Sequence, residues 1–162
     1  MTYIKKVCYI LNKKNGPKLN LHKKQGNSIL LFKADLEKSD FDFKNMLGWT
    51  SYHNYCFATV IDDKIVSCAS AGYHANKIND KIVEISTKTI STKTHEDYRG
   101  KGYAVSNVVA LCEYILNMQE KREIHYVTDI DNVASQKTAL SSGLIKTRYG
   151  YILLRKLKSK LS

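Results

Sequence analysis

The sequence predicts an α/β fold, a mixed and mainly antiparallel sheet with helices packed on it. Three observations carry this. The chain has 162 residues, 43% hydrophobic and 25% charged, with eight Gly and one Pro. That suits one globular domain over 1–162 and excludes disorder, collagen and low-complexity fibre. Up to residue 94 the apolar segments are short, β-branched and separated by polar turns. From Gly102 the apolar period becomes helical, and strand, helix and strand then follow.

The elements follow in order. Tyr3 to Leu11 reads as a strand, and Asn15-Gly16-Pro17 as a turn. Ser28 to Lys33 is a second apolar run. Ser39-Asp40 caps a short helix through Leu47, stopped by Gly48. Tyr55 to Ile61 and Ile65 to Tyr73 form a hairpin around Asp62-Asp63-Lys64. After the polar turn Asn76 to Asp80, Lys81 to Thr94 reads as a third antiparallel strand.

That third stretch contains a repeat: Ile85-Ser-Thr-Lys-Thr89 is followed directly by Ile90-Ser-Thr-Lys-Thr94. Five is odd, so such an insertion turns later side chains to the other face unless a bulge absorbs a residue. Ala104, Val105, Val108, Val109, Leu111, Cys112, Ile115 and Leu116 then mark a helix ending near Met118. Ile124 to Ile130 alternates as a strand. Asp131 or Asn132 caps a second helix to Ser142, with Gly143 as its stop. Ile145 to Leu157 is a final β segment, broken at Gly150.

Composition narrows the function classes. No apolar run approaches the ~18 residues of a membrane span; the longest, such as Ile29-Leu30-Leu31-Phe32, are strand-sized. The start, Met1 to Lys6, has no signal-peptide pattern. Cys8, Cys56, Cys68 and Cys112 form no CxxC pair and have apolar neighbours, which reads as buried thiols in a reducing, cytoplasmic setting. The five His are scattered, so no metal site is expected. Net charge is +11, made of +7 in residues 1–35, +6 in 146–162 and −2 between them. Basic ends suit a solvated surface or an anionic partner, but no nucleic-acid recognition motif accompanies them.

The most informative segment is Arg99-Gly100-Lys101-Gly102-Tyr103-Ala104, between a strand and a helix start. Two glycines let the backbone turn sharply and approach a ligand without Cβ obstruction. The helix start offers unpaired N–H groups and the positive end of its dipole, and Arg99 and Lys101 add charge. The set suits a diphosphate. It has neither the GxxxxGK[ST] spacing of a Walker A loop nor the third Gly of a dinucleotide fingerprint.

Arg99-x-x-Gly102-x-Ala104 resembles the Q/R-x-x-G-x-G/A signature of the GCN5-related N-acetyltransferases (GNAT), and Thr94-His-Glu-Asp-Tyr98 resembles the loop leading into it. Asp129-x-x-Asn132-x-x-Ser135-x-x-x-Ala139-x-x-x-Gly143-Leu144 resembles the family's second helix motif, in the spacing of the zwittermicin-resistance-type branch. Ile65-Val66-Ser67 and Val83-Glu84-Ile85 fit the family's central hairpin. The likeness covers about residues 54–150, with 1–50 a variable N-terminal part.

The resemblance implies a GNAT-like sheet, helices on both faces, and a cofactor cleft where the family's fourth and fifth strands splay. It implies that Thr92, Lys93 and Thr94 offer backbone groups to the pantetheine arm of acetyl-CoA, like a short added strand. Arg99, Gly100, Lys101, Gly102, Tyr103 and Ala104 would hold the pyrophosphate, and Asn132 and Ser135, one helical turn apart, would reach the arm.

The implied activity is acetyl transfer to a primary amine by direct attack on the thioester. Glu84 is the only acid on the strand that carries the family's base. It lies fifteen residues before Arg99, where the family's Glu lies ten before, and the difference equals the repeat. Either a bulge restores Glu84 to the site or the base is another group. Many relatives carry a Tyr where this chain has Ala139; Tyr149 and Tyr151 are alternative proton donors. Three functions follow: an acetyltransferase for a small amine such as an antibiotic or metabolite, one for a macromolecule (aminoacyl-tRNA or protein lysine), and a non-catalytic acyl-CoA-binding protein. The chain is read as a monomer or homodimer.

Overall fold

The computed structural model describes residues 2–12, 19–32, 35, 55–73, 82–86, 93–118 and 123–154. The strands are β1 (Thr2–Asn12), β2 (Ser28–Leu31), β3 (Tyr55–Ile61), β4 (Lys64–Tyr73), β5 (Ile82–Ser86), β6 (Lys93–Thr94), β7 (Glu123–Asp129) and β8 (Ile145–Leu154). The helices among these residues are α1 (Tyr103–Met118) and α2 (Val133–Ser142). The sheet order is β2-β3-β4-β5-β7-β1-β8, with β6 also paired to β4. All pairings are antiparallel except β5 with β7. The expected helix at Ser39 to Leu47 lies outside the described residues.

The β3–β4 hairpin closes through Asp62 and Asp63, at φ 50° and 60°, with Ile61 facing Lys64. A two-residue turn with both φ positive matches the right-handed twist of its strands, and Asp is among the residues that tolerate it. Asn132 caps α2, its Oδ1 accepting from the Ser135 N–H at 3.0 Å, and Gly143 ends α2 at φ 100°. Both ends are as the sequence predicts.

Strand alternation sorts the core. Val7, Tyr9 and Leu11 of β1, Ala69 and Ala71 of β4, and Ile124 and Tyr126 of β7 form one cluster with Val108, Leu111, Cys112 and Ile115 of α1 and Ala139 of α2. Both helices therefore lie on one face. On the other face Cys56, Ala58 and Cys68 are buried with Ile65. Burial pushes the Cys56 thiol up to about 12 and raises that of Cys112 as well, so both stay protonated at neutral pH. Each large buried aliphatic side chain contributes roughly 1.5–3 kcal/mol.

Two expectations are corrected. The final β segment is not broken at Gly150; β8 runs through it, with Gly150 facing Lys6. The irregularity is a bulge nearer the strand start, where Val7 faces Tyr149 but Tyr9 faces Lys146. Pairing with β1 holds Gly150 extended despite its freedom. β1, the strand expected at Tyr3 to Leu11, lies between β7 and β8, and Val7, Tyr9 and Leu11 are among the most buried residues of the core.

The second correction concerns Lys81 to Thr94, whose described pieces, β5 and β6, pair with β4 in two registers rather than the single register of one strand. Thr94 of β6 faces Ser67 of β4. Five residues further along β4, Gly72 faces Glu84 of β5. An unbroken antiparallel strand would place residue 89 opposite Gly72, so the registers of the two pieces differ by five residues. That is one copy of the repeat, and both pieces keep the register of a strand without it.

Candidate cofactor-binding site

The sheet parts beside the strand-to-helix turn. β5 runs parallel to β7 as far as Ser86 opposite Val127. β6, which continues the chain toward α1, pairs with β4 alone among the described residues. The opening therefore lies between β6 and the Thr128–Asp129 end of β7. Thr128 is buried, and its Oγ1 has no hydrogen-bond partner among the described residues.

From β6 the chain enters the turn through a short 3-10 segment, Glu96–Tyr98. The His95 N–H donates to Val66 O at 2.6 Å and ties this segment to β4. Ser67 Oγ and Thr94 Oγ1 lie 2.8 Å apart. Arg99 Nε donates to Thr94 O at 3.4 Å, and Lys101 Nζ stands 5.2 Å from the centre of the Tyr98 ring. Both cations are thus held beside the turn, with their side chains exposed.

Gly100 and Gly102 take φ of 76° and 79°, the left-handed region where a side chain is strained. A Cβ on Gly100 would meet nothing within 4 Å, and one on Gly102 would meet only Gln25 Nε2 at 3.4 Å. The outer side of the turn is open, and Arg99 to Gly102 are all exposed. α1 starts directly behind it, so the first-turn amides have no acceptor within the helix and the dipole's positive end faces the opening. This arrangement fits a diphosphate.

The structure places the remaining sequence-predicted residues as follows. Tyr103 and Ala104 open α1 and are half-buried. Asn132 is exposed and uses its Oδ1 as the α2 cap. Ser135 is buried, its Oγ 2.9 Å from the Tyr126 hydroxyl. Glu84 sits in β5 between Gly72 of β4 and His125 of β7 in the backbone register. Lys93 faces Cys68, while Thr92 lies outside the described residues. Ala139 is fully buried in the core. Tyr149 and Tyr151 of β8 pair in register with Val7 and Lys5 of β1, and β1 separates β8 from β7.

Sequence reading missed three contributors. Gln25 and Ser106 meet at the turn, and Tyr126 pairs with Ser135. Each contact joins residues distant in the chain or on different elements, so no local pattern announces it. A weak signal existed for Ser106, a polar residue on the helix within an apolar stretch.

Comparison with known proteins decides the family. The Acetyltransferase (GNAT) domain family matches residues 7–145. The chain belongs to this family. A GNAT-family acetyltransferase structure from Novosphingobium aromaticivorans DSM 12444 superposes with TM-score 0.70 at 13% identity, over 93% of this chain and 63% of that one. A tandem GNAT protein from the clavulanic acid biosynthesis pathway gives TM-score 0.65 at 12% identity, over 93% of this chain and 53% of that one. The aminoglycoside N-acetyltransferase AAC(6')-Iy, solved in complex with CoA, gives TM-score 0.60 at 18% identity, over 80% of this chain and 98% of that one. This GNAT chain thus spans only part of the first two neighbours' length but matches nearly all of the third. No curated protein sequence matches it. At these identities the structural neighbours show a shared fold, a GNAT-like α/β sheet with helices.

Proposed function

We propose that this GNAT domain is an acetyl-CoA-dependent N-acetyltransferase acting on a primary amine of a small molecule, an antibiotic or a metabolite. One observation carries the reading: the exposed double-glycine turn, open where a Cβ would stand, lies at the start of α1 beside the parted strands β6 and β7. Arg99 to Ala104 would hold the pyrophosphate through backbone amides and the two cations. The backbone of Thr92 to Thr94, with Asn132 and Ser135 across the opening, would hold the amide-rich arm. Acetyl-CoA supplies, when bound, an acyl group already activated as a thioester.

The chain's own part is orientation and proton handling. Glu84 stands opposite Gly72, the register of a residue ten before Arg99 once the five-residue difference between the two registers is discounted. A carboxylate there would take a proton from an incoming ammonium, leaving the neutral amine that attacks. Holding amine and acyl group together supplies much of the remaining acceleration. The Asp129-x-x-Asn132-x-x-Ser135 spacing, like that of the zwittermicin-resistance-type branch, supports a small acceptor. The buried thiols suit a reducing cytoplasm.

The test is a thiol-release screen with acetyl-CoA against aminoglycosides, polyamines, amino acids and a lysine peptide. The reading expects release that depends on a small amine. Release only with the peptide would favour a macromolecular acceptor, and CoA binding without release would favour a binding protein.

A further inference from the structure

The segment around residue 25 has no role in the sequence motifs, yet it is bonded across the phosphate-binding turn. The Gln25 N–H donates to Ser106 Oγ at 2.7 Å, and Ser28 Oγ lies 2.6 Å from the same oxygen. Gln25 Nε2 donates to Lys101 O at 3.0 Å. A carbonyl only accepts, so the amide nitrogen of Gln25 must be the atom that faces it. Lys24 Nζ bridges to Glu113 of α1, at 2.5 Å from Oε2, and anchors the segment on the helix from the other side. One residue thus joins the turn at Lys101 to the helix at Ser106, and Ser106 is fully buried.

The consequence follows from peptide geometry. Lys101 C=O and Gly102 N–H belong to one planar, trans unit and point in opposite directions. Fixing the carbonyl toward Gln25 therefore aims the Gly102 N–H away from Gln25. The other side of Gly102 is fixed by the helix, because its carbonyl accepts from the Ser106 N–H at 3.0 Å. At φ 79° a glycine flanked by two unrestrained peptide planes has many orientations; here both planes are held.

We infer that Gln25 is a positioning residue for anion binding: it pre-orients the Gly102 amide toward the diphosphate of CoA and removes an ordering cost from binding. This rests on the reading that CoA occupies the turn. Gln25 acts through Lys101 and Gly102 and need not touch the ligand.

The test is calorimetric binding of CoA, ADP and pantetheine to the wild-type chain and to Gln25→Ala and Gln25→Met, each confirmed folded by circular dichroism. Met keeps the side-chain length and lacks the donor. The expected result is about three- to tenfold weaker binding of CoA and ADP to both variants, the scale of one lost hydrogen bond, with pantetheine affinity changed less than twofold. Wild-type affinity for CoA in both variants would overturn the role of Gln25 and leave the cofactor site standing. So would an equal loss for pantetheine, which marks a general structural effect, or tighter binding, which marks a side chain obstructing the site. No CoA binding by the wild-type chain would remove the cofactor site and this inference together.

Discussion

The turn at residues 99–106 and the paired pieces at 82–94 reach the same opening by different physics. The turn is local. Its two glycines, its flanking cations and the helix start all lie within eight successive residues, and the left-handed φ of Gly100 and Gly102 follows from them. The β5–β6 stretch is not local. Where Glu84 stands is decided by which residues of β4 and β7 it pairs with, and those lie 12 and 41 residues away in sequence. A turn can be read from its own composition, whereas a strand that carries an insertion can be read only from its partners' register.

Substitutions can set the two regions apart. The largest expected effect is on the strand. Glu84→Gln removes the group proposed to take the amine's proton, so kcat should fall by about 10²–10⁴ while the affinity for acetyl-CoA stays within twofold. Steady-state kinetics with separate variation of acetyl-CoA and amine checks this. Full activity would dismiss Glu84 as the base and leave the turn untouched.

Gly102→Val acts on the other region. A β-branched residue at φ 79° is strained by about 1–3 kcal/mol, and its Cβ would come within 3.4 Å of Gln25 Nε2. CoA affinity should fall about tenfold or more by calorimetry, with far-UV circular dichroism unchanged. Unaltered affinity in a folded variant would show that the diphosphate does not sit at this turn.

The smallest expected effect is the most informative about register. Deleting residues 90–94 removes one copy of the repeat and leaves an identical five-residue sequence before His95. If the chain between β5 and β6 absorbs those five residues, Glu84 should still face Gly72 and the shortened strand should still face Ser67. Turnover should stay within about threefold, and stability should change by less than about 1 kcal/mol, since loop length enters only logarithmically. Loss of folding or a hundredfold loss of turnover would show that the insertion itself builds the site.

Most of the fold was legible because its signals are local. The caps Asn132 and Gly143, the hairpin at Asp62-Asp63 and the helical period from Ala104 to Leu116 each act within one turn of chain. The position of β1 was not legible. Nothing in Tyr3 to Leu11 says that it inserts between β7 and β8; its apolar composition fits a central strand and leaves the neighbours open. Gly150 misled for a related reason. A glycine read as a break is held extended by Lys6 across the sheet, and the bulge falls elsewhere.

At the site the same division holds. Arg99, Gly100, Lys101 and Gly102 were singled out from composition, and the structure shows all four exposed. Ser135 was singled out by its spacing from Asn132; its contact with the Tyr126 hydroxyl, on another element, has no signature in that spacing. Gln25 lies 76 residues from the carbonyl it holds, and only folding brings the two together.

The central claim is that the exposed turn at Arg99–Gly102 holds a diphosphate. Titration of ¹⁵N-labelled protein with CoA, followed through the backbone amide resonances, tests it most directly. The resonances of Gly100, Lys101, Gly102 and Tyr103 should shift first and furthest, and ADP should reproduce the shifts while pantetheine should not. Saturable shifts confined to other parts of the chain, with these four unmoved, would contradict the account.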